Sequence, residues 1–384
     1  MRPRFALSLG NFFVCVHHAL MLYITTPFLA TVMPENFIGL VLSLGALFSL
    51  CAFPFVPRLV RNLGARRLAL WSIGLSACFV LSLALNLPPL AVVFAYALFF
   101  ALTPINAYFL DLLLEAATKG AGETGRVRTL FITFGNLGYL SCALGIGLLL
   151  GSGDTYANIF YIAAVALIPF LLMLRFAHVP DGDPPRFAHI LEVAHCLIKD
   201  RDYKAVGVAY LTLQFFFNLV PYFIPLYLHT VLGIPWSELG WIFAVIVIPF
   251  LLLEYPAGWL ADKVLGDQEL MAIGFLVMGA ATAAIAFTTA ATPILAIGAV
   301  LFVSRIGAAL AEAMCETHFF RRVSERDANS VGVFRMMRPM GAVAAPLTAS
   351  VFLSVSSFNI MFFVVGLGII VFGVAGALSI KDVR

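Results

Sequence analysis

Charged residues are scarce in this chain of 384 residues. Asp, Glu, Lys and Arg make up 11% of the sequence, whereas a soluble globular domain carries about 25%. Hydrophobic residues make up 62%, so too few polar side chains remain to cover a water-exposed surface of this size. The composition argues against a soluble enzyme, a nucleic-acid-binding protein and a disordered scaffold, and it indicates a chain that lipid surrounds.

Motifs for disulfide, metal and nucleotide chemistry are missing as well. The six cysteines are scattered and include no CxxC pair, which indicates buried free thiols rather than a disulfide framework or a zinc site. No Walker A sequence occurs. A GxGxxG match at residues 120–125 follows an apolar run instead of a strand, so it predicts a flexible loop rather than a dinucleotide site. We therefore expect no cofactor, no metal and no ATPase activity.

Long apolar runs dominate the sequence instead. A helical span needs about 20 apolar residues, and twelve such runs lie between clusters of charged residues, Pro, Gly or Asn. They show no period-2 alternation, which excludes a β-barrel, so the sequence predicts an all-α membrane protein with twelve transmembrane helices. The predicted limits are 5–32, 36–58, 67–86, 88–115, 128–150, 155–177, 203–231, 235–260, 268–290, 292–320, 328–354 and 356–380.

Lys and Arg residues predict the orientation of these spans. Outside the spans, all of them lie at the two chain ends or in the even-numbered connections. The positive-inside rule therefore places both termini in the cytoplasm and the chain in the cytoplasmic (inner) membrane as a multi-pass protein. The longest connection, 178–202, has an amphipathic pattern from Arg186 to Lys199, which predicts a helix on the inner membrane surface. It separates two predicted six-helix bundles, 1–177 and 203–384.

The two predicted halves resemble each other in sequence. The pair Asp111-x-x-x-Glu115 near the end of span 4 corresponds to Glu312-x-x-x-Glu316 in span 10. Internal duplication of this kind is common in secondary transporters. It predicts that the two bundles are related by pseudo-symmetry.

A loop after span 8 resembles a family signature. Residues 258–263, Gly-Trp-Leu-Ala-Asp-Lys, are followed by Gly266. This segment resembles the Gly-x-x-x-Asp-x-x-Gly loop of the major facilitator superfamily, with one extra residue before the second glycine. The corresponding loop in the first half keeps Gly64 but has Arg61 where the family has Asp. Residues 304–307, Ser-Arg-Ile-Gly, resemble the intramembrane Arg motif, which in the family lies in span 4.

The resemblance implies two pseudo-symmetric bundles that rock around a central site and give alternating access. It also implies that spans 1, 4, 7 and 10 line the cavity, that 2, 5, 8 and 11 flank it, and that 3, 6, 9 and 12 face outward. The interiors of the four outward spans contain no Asp, Glu, Lys, Arg or His, which is an independent check. Insertion of an ionisable side chain at the bilayer centre costs about 2.5–3.5 kcal/mol. Each ionisable residue inside the other spans is therefore a candidate for a structural or functional role.

Polar residues form stripes on three of the predicted cavity helices. The stripe on span 1 favours His18 over His17 as the residue facing the cavity, and on span 10 Arg305, near mid-membrane, shares a face with Glu312. A water-filled path needs such stripes, although hydrogen bonds between packed helices give the same pattern. The predicted substrate-binding residues are Arg305, Gln214, Asn218, His18, Tyr222, Asn136 and Arg338.

Titratable residues on the same helices are candidates for proton coupling. These are Glu312, Asp111 and His18, and a histidine titrates near neutral pH. Glu312 is predicted to lie at the depth of Arg335, with Arg338 between them and Arg305, in a charge-compensated network; a static salt-bridge cluster is the alternative. The residues predicted to form conformational gates are Asp262, Glu254, Arg335, Arg61 and Arg128.

The sequence thus predicts a secondary active transporter, not an enzyme. We expect a monomer in the lipid bilayer that moves a small polar, amphipathic or anionic organic solute by alternating access, coupled to protons. Two alternatives stay open. One is a proton-driven multidrug exporter, favoured by the run Phe215, Phe216 and Phe217 in span 7. The other is a non-transporting receptor or assembly factor on a transporter fold, which would show no solute flux.

Overall fold

The structure, a computed structural model, describes most of the 384 residues. The backbone is described for residues 3–118, 124–151, 153, 155–176, 179–181, 200–250, 252–253, 256, 265–322 and 328–380. Within these ranges, the side chains of residues 124–126, 129, 320–322, 328–333 and 335 are outside the description. The described residues form helices and turns and contain no strand.

Helices α1 to α8 form the first half of the chain. The segment between α2 and α3 contains Pro54 and Pro57, and it adopts a 3-10 turn at Phe53–Phe55 because proline cannot donate a main-chain hydrogen bond. The helices are α1 (Pro3–Ala30), α2 (Glu35–Ala52), α3 (Val56–Leu63), α4 (Ala65–Leu83), α5 (Pro89–Thr118), α6 (Thr124–Leu150), α7 (Tyr156–Ala166) and α8 (Ile168–Phe176).

Helices α9 to α15 form the second half. Helix α9 contains Pro221 and Pro225 and continues into a π-helical turn at Tyr227–Val231, a local widening that is frequent at functional sites. A second π-helical turn, Ile370–Val374, joins the last two helices. The helices are α9 (Arg201–Leu226), α10 (Trp236–Val245), α11 (Asp267–Ile285), α12 (Ile294–Arg322), α13 (Ala328–Val355), α14 (Phe358–Ile369) and α15 (Ala375–Ser379).

Most of these helices are long and apolar enough to cross a bilayer. Within the described ranges there are eleven such spans when α2–α3, α7–α8 and α14–α15 are each counted as one. This confirms an all-helical, multi-pass membrane protein. The predicted span at 235–260 appears as a shorter apolar helix, Trp236–Phe250, because much of 251–264 is outside the described residues. The amphipathic helix predicted at 186–199 is outside them too.

The chain divides into two compact units. The N-terminal unit comprises Met1–Pro185 together with Ile234–Ala244, and the C-terminal unit comprises Arg186–Gly233 together with Val245–Arg384. Nearly all of α10 is therefore grouped with the first half of the chain, where Gly240 lies against the main chain of α6. The bundle limits predicted from the sequence, at 177 and 203, stay a prediction.

Glycines set the closest helix contacts within each unit. In the N-terminal unit, a Cβ on Gly138 of α6 would lie 2.6 Å from the carbonyl oxygen of Phe12 in α1. In the C-terminal unit, a Cβ on Gly274 of α11 would lie 2.9 Å from the carbonyl oxygen of Gly307 in α12. Small residues let helix backbones approach closely in lipid, where packing drives association. These contacts hold α1 against α6 and α11 against α12, the helices that carry the candidate residues.

Candidate functional site

Arg305 is buried against an aromatic ring in the C-terminal unit. It is 4% exposed and lies eleven residues after the start of α12, about 16 Å along the helix axis. Its guanidinium carbon is 4.9 Å from the ring centroid of Phe216 in α9, and that ring is fully buried. A cation over an aromatic face is attracted by the ring quadrupole, more strongly where water is excluded. Phe216 is thus a partner of Arg305 that hydropathy and spacing did not identify.

Three predicted substrate-binding residues follow one another along α9. Gln214 is 5% exposed, and Asn218 and Tyr222 are half-buried. The Asn218 amide Nδ2 donates to the carbonyl oxygen of Gln214 at 2.8 Å. A Cβ on Gly341 of α13 would lie 2.8 Å from the Cβ of Gln214, so that glycine brings α13 onto α9 at this level. The predicted stripe therefore lies along a helix contact and carries amide groups one turn apart.

Arg338 has different partners from those the sequence predicts. Its Nε donates to the hydroxyl of Tyr210 at 2.7 Å, and its Nη2 contacts Glu316 Oε1 at 3.0 Å. The Arg338 side chain is 55% exposed, and an ion pair that exposed contributes little to stability. Glu312, one turn earlier, is half-buried, and the side chain of Arg335 is outside the described part. The predicted Glu312–Arg335 network thus stays a prediction.

Aromatic stacking supports the position of Arg338. The Tyr210 ring stacks on Phe334 with centroids 3.9 Å apart, and Phe334 stacks on Phe319 at the same separation. Tyr210 comes from α9, Phe334 from α13 and Phe319 from α12. The three rings join the helices that carry Gln214, Arg338 and Arg305.

In the N-terminal unit, the two adjacent histidines of α1 have different surroundings. His17 is 1% exposed, and its Nδ1 donates to the carbonyl oxygen of Ala163 at 2.8 Å. Its ring also packs edge-on against Phe99. His18 is half-buried. His17 thus lies in the packed core, whereas His18 is more open, and the role of His18 at the cavity stays a prediction.

Other polar residues of the N-terminal unit join helices. The Asn11 side chain of α1 donates to the carbonyl oxygen of Phe131 in α6 at 2.9 Å, which is the helix-joining role that small polar groups have in lipid. Two predicted site residues, Asn136 of α6 and Asp111 of α5, are half-buried. The roles of these two residues stay predictions.

The predicted gate residues are only partly within the described ranges. Arg61 and Arg128 are exposed, whereas Asp262 and Glu254 are outside the described residues. At the loop after α3, Asp181 Oδ1 accepts from the main-chain N–H of Arg66 at 2.8 Å. This carboxylate caps the start of α4, and neither hydropathy nor residue spacing predicted that residue 181 would supply it.

A buried cluster of one histidine and two aspartates was missed by sequence reasoning. Within the C-terminal unit, His318 of α12 lies between Asp202 of α9 and Asp267 of α11, with ring nitrogens 3.2 Å and 3.5 Å from the two carboxylates. All three side chains are 5% exposed or less. Each residue lies near a predicted helix end, where charged residues normally face water, so neither hydropathy nor spacing predicted their burial together.

Comparisons with known proteins agree with this fold. Residues 206–384 match the family model of the Major Facilitator Superfamily. A crystal structure of the nucleoside transporter NupG superposes with a TM-score of 0.78 and 16% identity, covering 98% of both chains. A point mutant of that transporter superposes with a TM-score of 0.73 and 17% identity, again over 98% of both chains. No curated protein matches in sequence.

At 16–17% identity the two crystal structures establish the fold, and the family match covers nearly half of the chain. The match lies over the helices that carry Arg305 and its aromatic partner. The second half of the chain thus matches the family model of the Major Facilitator Superfamily, and the fold of the chain is similar to that of the two crystal structures.

Proposed function

We propose that the chain is a proton-coupled secondary transporter for a small polar organic solute, moved by alternating access. Nucleosides are the first solute class to test, because the nucleoside transporter NupG has the same fold. The proposal includes twelve spans in two pseudo-symmetric six-helix bundles, 1–177 and 203–384. It also includes a cytoplasmic linker at 178–202, both termini in the cytoplasm, and a monomer in the inner membrane.

The observation that carries this proposal is the burial of Arg305 against Phe216 within a span. An arginine stays charged at physiological pH, and a charge within a bilayer marks a functional site by default. A guanidinium presents five N–H donors and no acceptor. A solute that carries hydrogen-bond acceptors or a negative charge is therefore the chemistry that Arg305 would recognise.

Amide groups on the helix that carries Phe216 favour a solute that both donates and accepts hydrogen bonds. Gln214 and Asn218 are on α9, the helix that carries Phe216. A side-chain amide provides one acceptor oxygen and two donor hydrogens, which is the pattern that a nucleobase edge or a sugar hydroxyl pairs with. A lipophilic drug offers few such groups, so this chemistry favours a polar solute over the multidrug alternative.

Proton coupling has three candidate residues among the described side chains. Glu312, His18 and Asp111 are all half-buried, and each is a group that can gain or lose a proton. Transport driven by an imposed pH gradient would support a coupled mechanism. A solute flux that does not change with the pH gradient would favour facilitated diffusion. It would exclude a proton-coupling role for these three residues.

The test uses the purified full-length protein in proteoliposomes. Radiolabelled nucleosides, a nucleoside monophosphate and a lipophilic cationic dye are offered with and without a pH gradient. We expect uptake of a polar solute and none of the dye. Dye transport alone would indicate a multidrug exporter, whereas binding of a solute without flux would indicate a receptor on a transporter fold.

Substitution of Arg305 links this transport to the site. Arg305→Lys keeps the charge but loses the planar guanidinium, so we expect folding to survive and solute affinity to fall at least about tenfold, or about 1.4 kcal/mol. Arg58→Lys is the matched control, because Arg58 is exposed near the second connection. Wild-type affinity in Arg305→Lys would show that Arg305 has a structural role only.

A further inference from the structure

One stretch of the N-terminal unit carries positive charge that no acid of the same stretch balances. Between Glu35 and Asp111 the sequence contains no Asp, Glu or Lys. The charged residues of this stretch are Arg58, Arg61, Arg66 and Arg67. The first two are on α3 and the other two are at the start of α4. A surface with charge of one sign attracts partners of the opposite sign.

Arg66 differs from the other three arginines because its guanidinium has partners inside the protein. It donates to two main-chain carbonyl oxygens at the end of α8, at 2.7 and 2.9 Å. The side chains of Arg58, Arg61 and Arg67 are exposed, and they form no hydrogen bond or ion pair with the residues that the structure describes. Three guanidiniums on one part of the surface are therefore free to contact a partner outside the chain.

Core packing sets the rotation of α3 and so directs its basic face outward. Val56 and Val60 of α3 are buried in the same hydrophobic core as Leu68 of α4. Residues four apart share one face of a helix, so these two valines hold that face against the core. Arg58 and Arg61 are about half a turn away from it around the helix. Their guanidiniums thus point away from the core of the N-terminal unit.

The outward face of α4 has the order of side chains that a membrane interface favours. Arg67, Trp71 and Leu75 follow one another at intervals of four residues, and all three are exposed. Trp71 is 62% exposed and Leu75 is 47% exposed. Tryptophan rings are enriched at the headgroup level of a bilayer. Arg67 lies one turn closer to the helix start, about 6 Å along the axis, which is the level of the lipid phosphates.

Exposed apolar side chains accompany the guanidiniums on α3 as well. Phe55, which immediately precedes this helix, is 66% exposed, and Leu59, next to Arg58 in the sequence, is 45% exposed. A partner that covers this surface must offer negative charge and apolar groups together. A soluble anion offers only the charge, whereas an anionic phospholipid offers both a phosphate and acyl chains.

The dipole of α4 also favours an anion at this position. Ala65 is the first residue of the helix, so Arg66 and Arg67 both lie in its first turn, which contains no acid. Negative charge is stabilising at a helix N-terminus, and two positive charges there are the reverse of the favoured arrangement. Asp181 supplies one carboxylate, to the main-chain N–H of Arg66. A phosphate beside Arg67 would add the further negative charge that this helix end favours.

We propose that the outward faces of α3 and α4 bind the headgroup of an anionic phospholipid. The guanidiniums of Arg58, Arg61 and Arg67 contact the phosphate region, and Trp71 packs beside the glycerol and the first part of the acyl chains. Anionic lipids are concentrated in the cytoplasmic leaflet, and the orientation proposed above places these residues at that leaflet. The binding itself requires only an anionic lipid beside the helices, and it needs no transported solute.

Quenching of Trp71 fluorescence by brominated lipids tests this proposal separately from transport. The full-length protein is reconstituted in phosphatidylcholine vesicles that contain brominated phosphatidylglycerol or, at the same mole fraction, brominated phosphatidylcholine. Trp71→Phe identifies the part of the quenching that belongs to Trp71. Each basic residue near an anionic surface strengthens the attraction about fivefold. We therefore expect brominated phosphatidylglycerol to be preferred beside Trp71 by at least about fivefold.

A double variant, Arg58→Gln with Arg67→Gln, removes two of the three free charges and should lower this preference at least about fivefold. Arg201→Gln with Lys204→Gln is the matched control, because both residues are exposed on α9 in the C-terminal unit. The control should keep the wild-type preference. An unchanged preference in the first variant, or an equal loss in both, would overturn the proposal. Equal quenching of wild-type Trp71 by the two brominated lipids would overturn it without any arginine variant.

Discussion

A double-mutant cycle can measure the interaction energy between Arg305 and Phe216. Both residues are almost completely buried, with 4% and 0% exposure, and the guanidinium carbon is 4.9 Å from the ring centroid. A desolvated cation–π contact contributes about 2 kcal/mol or more, against about 0.5–1 kcal/mol at an exposed site. We therefore expect a coupling energy of about 2 kcal/mol, equivalent to about 30-fold in an equilibrium constant.

The variants for this cycle are Phe216→Leu, Arg305→Met and the double mutant. Each single change also alters packing, which costs a further few kcal/mol for a buried phenylalanine, and the cycle removes that contribution from the coupling. The free energy of unfolding in a denaturing detergent titration is the measurement. Phe217→Leu combined with Arg305→Met is the control cycle, because Phe217 packs against Phe216 and Phe250 instead. A coupling below about 0.5 kcal/mol for Phe216 would refute the cation–π assignment.

Two glycine positions give further predictions from thermal unfolding. Gly64 has φ +84°, and a Cβ there would lie 2.8 Å from Asp181 Oδ2. We therefore expect Gly64→Ala to destabilise the fold by about 1–3 kcal/mol. Its control is Gly74→Ala, which should not destabilise the fold because a Cβ at that position meets open space. Gly307→Ala would push a methyl group into the backbone of α11, so we expect a loss of about 1–3 kcal/mol. Its control is Gly368→Ala, with no atom within 4 Å of the new Cβ. Equal effects within either pair would contradict the packing described.

The acid that caps α4 comes from a distant part of the chain. The loop after α3 has Arg61 and no acid of its own, and the carboxylate that accepts from the main-chain N–H of Arg66 belongs to Asp181. Arg66 completes the contact, because its guanidinium donates to the carbonyl oxygens of Leu174 and Arg175 at 2.7 and 2.9 Å. The loop after α3 is thus tied to the end of α8 within the N-terminal unit.

Much of the fold was predictable from local properties of the sequence. The length of an apolar run determines whether a helix can cross a bilayer about 30 Å thick, so the existence of the spans follows from hydropathy. Residue spacing along one helix also favoured His18 over His17 as the residue that faces the cavity, which stays a prediction. Each of these properties depends on one short segment, and therefore needs no knowledge of which other helix lies beside it.

The partners of buried charges depended on the tertiary structure. His318 meets Asp202 across 116 positions of sequence, and Arg305 meets Phe216 on another helix. Arg338 pairs with Tyr210 and Glu316. Hydropathy shows that a helix spans the membrane, but it does not show how the helix is rotated about its axis or which helices are its neighbours. The reason is that lipid can contact an apolar helix equally well on every side. The packing of glycines and aromatic rings against adjacent helices sets that rotation, and so decides which polar groups meet.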